Sequence, residues 1–151
     1  MKILVSSCLL GANCKYSGEN NICQCVCDLG KKHTLLSICP ELMAGLPTPR
    51  LPAELCNGVI YDSSHSNVDN IYRIGALRAL QIALQEEVDI AILQSRSPTC
   101  GVHQIYDGSF SGKLISGEGI FATLLKDNGI PTIDVEDFIN NNFEFKNRES
   151  I

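Results

Sequence analysis

The run Ile90-Ala91-Ile92-Leu93 constrains the fold more than any other feature of this sequence. Four consecutive apolar residues between Asp89 and Gln94 offer no polar face to solvent, the pattern of a parallel strand buried on both sides. Such a strand needs helices over both faces of its sheet, and therefore helical segments between strands. The sequence supplies them. Residues 68–87 carry Ile71, Ile74, Leu77, Ala79, Leu80, Ile82, Ala83 and Leu84 at helical spacing, residues 119–128 read as a helix stopped by Gly129, and residues 135–141 as a terminal helix. Asn20 or Asn21 is placed to cap another over residues 22–32. Further strands are expected at residues 2–6, 33–38 and 130–134, with a short one at 59–62. The stretch 105–114, broken by Asp107-Gly108 and Gly112, reads as a hairpin or an irregular excursion. The three prolines between Gly45 and Pro52 exclude a helix interior or a central strand, leaving a long, stiff loop. The fold class is α/β: a single-domain, parallel, Rossmann-like sheet with helices on both faces.

At 151 residues the chain has the size of one domain. We assign residues 1–142 to it and read 143–151 as a frayed tail. The formal net charge of −5 argues against a nucleic-acid binder, which needs a basic surface. No apolar run reaches the roughly 18 residues of a membrane span. Leu4-Val5-Ser6-Ser7-Cys8 resembles a lipoprotein cleavage site, but too few residues precede Cys8 for a signal peptide. A cytoplasmic protein with a small-molecule partner is expected. In that compartment the eight cysteines are metal ligands, catalytic groups or buried filler rather than disulfides.

Three of the expected strands run directly into a cysteine: Cys8, Cys39 and Cys100. If the strands are parallel, all three thiols emerge at the carboxyl edge of the sheet, where open α/β sheets bind ligands. Three thiolates with no nearby histidine favour a soft metal, and a structural zinc site wants a fourth ligand. A cubane iron–sulfur cluster can use three cysteines and leave one iron open, so the set suits a cluster that does substrate chemistry. Cys14 is close enough in sequence to replace Cys8 or to complete a four-thiolate zinc site. Cys23, Cys25 and Cys27 lie inside the expected helix 22–32, where Cys23 and Cys27 would be neighbours and Cys25 would point elsewhere. Cys56 reads as core. Around the candidate centre stand Glu41 as a proton-transfer group, Ser97 as an orienting hydroxyl, Ser95 and Thr99, and Arg50 and Arg96 as surface residues or holders of a polar substrate. His103 reads as structural. Gly117-Glu118-Gly119 before a helix hints at a phosphate loop but lacks the remaining fingerprint residues.

Five ordered segments carry a resemblance: Val5-Ser6-Ser7-Cys8-Leu9-Leu10-Gly11 with Asn13-Cys14-Lys15-Tyr16, Cys39-Pro40-Glu41, Gly45-Leu46-Pro47-Thr48-Pro49-Arg50, Ser95-Arg96-Ser97-Pro98-Thr99-Cys100-Gly101, and Ile105-Tyr106-Asp107-Gly108. Over residues 3–134 the chain resembles the bacterial and archaeal family known as domain of unknown function 523, whose characterised members are thiouracil desulfidases. The resemblance implies a [4Fe-4S] cluster on Cys8, Cys39 and Cys100, whose open iron acts as a Lewis acid toward the sulfur of a thiolated pyrimidine. It implies Glu41 and Ser97 as catalytic residues, with Ser95, Arg96 and Arg50 toward the substrate. The Cys23-Cys25-Cys27 triplet departs from the family pattern. Two readings of other classes stand beside this one: a metal-, cluster- or sulfur-binding module without turnover, and a thiol redox protein.

Overall fold

The computed structural model describes residues 1–140. The expected boundary at 142 and the tail 143–151 lie outside the described residues. Strands β1 (Lys2–Ser6), β2 (Thr34–Ile38), β5 (Ile90–Leu93) and β8 (Thr132–Asp134) form one parallel sheet in the order β2-β1-β5-β8. All four residues of β5 are fully buried, as the unbroken apolar run requires. Burying its two isoleucines and its leucine stabilises the fold by about 1.5–3 kcal/mol each.

The strand period of two divides the side chains between two cores. Leu4, Ala91 and Leu93 face α3 (Asp69–Gln85) and α4 (Ile120–Asp127), while Ile3, Val5, Ile90 and Ile92 face α1 (Gln24–Cys27) and α5 (Val135–Asn140). Helices therefore cover both faces of the sheet. Among the described residues no helix is long and apolar enough to cross a membrane.

The strand order fixes where a site can form. The chain leaves β1 for β2 on one side and later enters β5 on the other, so the loops after β1 and β5 part in opposite directions and open a crevice between them. A short helix, α2 (Pro40–Met43), follows β2 and packs on α3 at Gly75, where an added Cβ would stand 2.1 Å from the Pro40 carbonyl oxygen. Only glycine permits that approach.

The remaining elements differ from the sequence reading in two places, while the stretch 105–114 takes the hairpin of its two expected forms. The segment after Asn21 forms only the four-residue α1 and a 3-10 turn over Asp28–Lys31, because Cys23 is extended and gives its N–H to the Leu9 carbonyl at 2.9 Å. A strand β3 (Ala53–Cys56) precedes the expected β4 (Val59–Asp62), joined through Asn57 and Gly58, both at positive φ. Cys56 is half-buried there. Strands β6 (Gln104–Tyr106) and β7 (Leu114–Ser116) make the second hairpin.

A candidate thiol centre at the switch point

Three turns bring the strand-end thiols to one place. Cys8 lies in a 3-10 turn over Ser7–Leu10 immediately after β1, Cys39 is the extended residue before α2, and Cys100 ends the Ser95–Cys100 loop after β5. All three line a cavity of about 560 Å³ that also receives Cys14, Glu41 and Ser97.

Cys14 stands between Cys8 and Cys39, with its thiol in hydrogen-bond contact with both. These contacts and burial hold Cys14 protonated, its thiol pushed far up. The same hydrogen bond, with a weaker one from the Asn21 amide at 3.5 Å, outweighs burial and pulls the Cys8 thiol down to about 7. Cys39 is lowered too, first by Cys14 and then by the backbone N–H groups of Leu42 and Glu41. Cys100 is buried, and that burial pushes it up to about 12 despite hydroxyl contacts from Ser6 and Thr99. The centre thus holds two thiols prepared to ionise, one proton donor between them and one buried partner whose ionisation needs a cation. Among the described residues no three histidine, cysteine or carboxylate side chains surround a single point as ligands of one metal ion.

Glu41 borders the cavity with 17% of its side chain exposed. Burial raises its pKa, and the charge of Arg50 works against that rise. The Arg50 guanidinium is inside the protein, 6% exposed, with Nη2 donating to Glu41 Oε2 at 2.6 Å and to the Cys14 carbonyl at 2.8 Å. Its Nη1 donates to Thr48 Oγ1 and the Pro47 carbonyl, and Tyr72 of α3 also touches it. The Pro-rich loop therefore has the work of delivering one buried cation beneath Glu41 and Cys14. Tyr72 also lines the cavity, and burial pushes its phenol up to about 12.

Ser97 Oγ accepts the N–H groups of Thr99 at 3.1 Å and Cys100 at 3.0 Å and meets Thr99 Oγ1 at 2.8 Å. It shapes the turn that carries Cys100 while leaving its oxygen on the cavity wall. The neighbouring Ser95 and Arg96 also line the cavity, but their polar groups are engaged elsewhere. Ser95 Oγ donates to Asp134 Oδ1 at 2.7 Å, and Arg96, at positive φ, pairs with Glu136 at 2.6 Å. His103 pairs with Asp137 at the surface. The N–H groups that begin α4 are not open to a phosphate, because Ile120 donates to Pro98, and Phe121 and Ala122 to Thr99. Gly117-Glu118-Gly119 instead lets α4 press against the Cys100 loop, where a Cβ on Gly119 would lie 2.4 Å from Thr99 backbone atoms.

Asn21, Tyr72 and Ser6 escaped the sequence reading as neighbours of the centre. Asn21 had suggested only a helix cap and Tyr72 sits at an ordinary helical core position, neither within a motif, while Ser6 stood inside the first motif as the last residue of a strand and was given no role.

Comparison with known proteins agrees with this architecture. The family model described as 2-thiouracil desulfurase matches residues 3–137. The uncharacterized protein YbbK of Bacillus subtilis strain 168 is 38% identical over 141 residues, spanning 87% of this chain and 93% of the relative. The solved structure of the [4Fe-4S]-dependent thiouracil desulfidase TudS superposes with a TM-score of 0.85 at 36% identity, covering 90% of this chain and 91% of that one. With a parallel sheet of the same build and a family match running through every loop of the thiol centre, the chain belongs to the 2-thiouracil desulfurase family.

Proposed function

We propose that this protein is a [4Fe-4S]-dependent desulfidase that converts the C=S group of a thiolated pyrimidine such as thiouracil to C=O, consuming water and releasing hydrogen sulfide. The convergence of Cys8, Cys39 and Cys100 on a cavity that also holds Glu41 and Ser97 is the observation that carries this reading. The donor set fits the cofactor: the thiols are the cavity's soft ligands, and its two carboxylates are engaged elsewhere, Glu41 with Arg50 and Glu54 with the N–H groups of Gly108 and Phe110. Cys8, Cys39 and Cys100 would hold the cluster, with Cys14 beside them as a hydrogen-bond donor. When bound, the cluster supplies an iron with a position open to the substrate's sulfur, a Lewis acid at the carbon to be attacked.

The chain's own groups supply the rest. Glu41 Oε takes the proton of the attacking water, and the Arg50 guanidinium fixes that carboxylate's position and favours its ionised form against the effect of burial. Ser97 Oγ, its own lone pairs occupied by two backbone N–H groups, donates its hydroxyl proton toward the ring's polar edge or to Thr99. Ser95 and Arg96 border the same cavity but spend their polar groups on Asp134 and Glu136, so we assign them to the shape of its wall. The reaction moves no electrons between substrate and protein. A thiolate-bound cluster suits a reducing compartment, and we place the protein in the cytoplasm.

The test is anaerobic reconstitution with iron and sulfide, then metal analysis and sulfide release from 2- and 4-thiouracil. About four irons per chain with turnover supports the reading. Zinc, or a loaded cluster without sulfide release, sinks it in favour of a binding module.

A further inference from the structure

The Cys23-Cys25-Cys27 triplet has no part in the cavity: none of the three lines it. Helical geometry would set Cys23 beside Cys27, yet the structure pairs Cys23 with Cys25, whose sulfurs approach to 3.2 Å. The cause is local. Cys23 is extended, at φ −126° and ψ 110°, with its N–H fixed on the Leu9 carbonyl, and the helix begins only at Gln24, so its side chain swings toward Cys25. Cys27 turns inward instead and directs its Sγ to the Leu9 carbonyl at 3.8 Å. Two thiols are thereby left together at the surface, with Cys25 exposed and Cys23 half-buried.

We infer that Cys23 and Cys25 form a second, redox-active site that undergoes thiol–disulfide exchange with small disulfides such as glutathione disulfide. Closure needs the sulfurs to move from 3.2 Å to about 2.05 Å, a shift within reach of one exposed side chain. A ring closed across a single intervening residue constrains little of the unfolded chain, so the disulfide gains little stability and opens readily. Two donors fall short of the four that a structural zinc site uses, which leaves exchange as the chemistry of this pair. The two sulfurs share one hydrogen bond, and partial desolvation together with the Cys23 sulfur pushes the Cys25 thiol up to about 11, so Cys25 is the partner that holds the shared proton while Cys23 makes the first attack. The Cys23 thiolate attacks one sulfur of the small disulfide and expels a thiolate, leaving a mixed disulfide. Cys25, losing its proton to solvent, attacks Cys23 Sγ and expels the second thiolate. The protein loses two electrons and two protons, and the small disulfide becomes two thiols.

The full-length protein, cluster-loaded and cluster-free, is equilibrated anaerobically with glutathione and its disulfide, alkylated, and mapped by peptide mass. We expect a Cys23–Cys25 disulfide with Cys27 alkylated, at least about tenfold ahead of adducts on half-buried Cys56, because the second step is intramolecular. In Cys25→Ser a glutathione adduct should accumulate on Cys23, and Cys27→Ser should leave the disulfide unchanged. A triplet that stays fully alkylated, a disulfide that uses Cys27, or glutathione spread equally over Cys23 and Cys56 overturns the inference. The wild-type map alone decides these outcomes, and none depends on desulfidase turnover.

Discussion

Gly75→Ala sets two familiar effects against each other. In the middle of α3 alanine is the better helix former, by about 1 kcal/mol. The packing opposes it: the new Cβ would meet the Pro40 carbonyl oxygen at 2.1 Å, the Ala44 Cβ at 2.7 Å and the Ala44 nitrogen at 3.0 Å. Ordinary contacts of this kind lie near 3.5 Å, so α2 must retreat by more than about 1 Å. Two of the three obstacles are backbone atoms, which cannot rotate aside. Overpacking of this kind costs about 1–3 kcal/mol, and the severity of the clash puts Gly75 at the upper end. The net expectation is a loss of about 1–2 kcal/mol, or a fall in Tm of about 2–8 °C. Urea unfolding of the cluster-free protein, followed by far-UV circular dichroism, measures it. Because α2 begins with Pro40-Glu41, the same retreat displaces the carboxylate, and a misplacement near 1 Å lowers kcat by up to about 100-fold. A Gly75→Ala protein as stable as wild type, with full turnover, would refute the claim that this close approach positions Glu41.

Other outcomes follow from the site. Cys8→Ser, Cys39→Ser and Cys100→Ser should each lose reconstituted iron, whereas Cys14→Ala should keep about four irons per chain, by metal analysis. Glu41→Gln should lower sulfide release by about 10²–10⁴-fold with iron content unchanged. Ser97→Ala strands the N–H groups of Thr99 and Cys100, a penalty of about 1–3 kcal/mol, and should lose iron as well as rate. Burial holds Glu41 above the usual carboxylate range and its base role requires ionisation, so the rate should rise with pH through a limb above that range. Arg50→Met removes the opposing charge and should move the limb to higher pH, read from kcat/KM profiles.

The sheet and the meeting of Cys8, Cys39 and Cys100 were legible because both rest on pattern: a run such as Ile90–Leu93 announces a buried parallel strand, and thiols at the ends of parallel strands must share an edge. The hairpin of β3 and β4 carried a signal in Asn57-Gly58, which favours two-residue turns, but Pro52 and the irregular loop before it obscured the first strand. Arg50 illustrates what pattern does not reach. Its type and place fitted a substrate holder, yet its side chain turns beneath Glu41 through a loop without periodicity. The same holds for Cys14 and Cys23, whose directions depend on single backbone angles and on which carbonyl each N–H finds.

The topological switch also orders events in the life of the protein. Cys8 and Cys100 stand 92 residues apart, and neither nears the other until β1 and β5 are paired. In a zinc finger the ligands sit close along the chain and metal capture drives folding. On the ligand set proposed for this chain, Cys8 and Cys100 would offer a cluster no joint grip in the nascent chain. The scaffold would have to be finished first, so loading would come after synthesis and report that folding is complete.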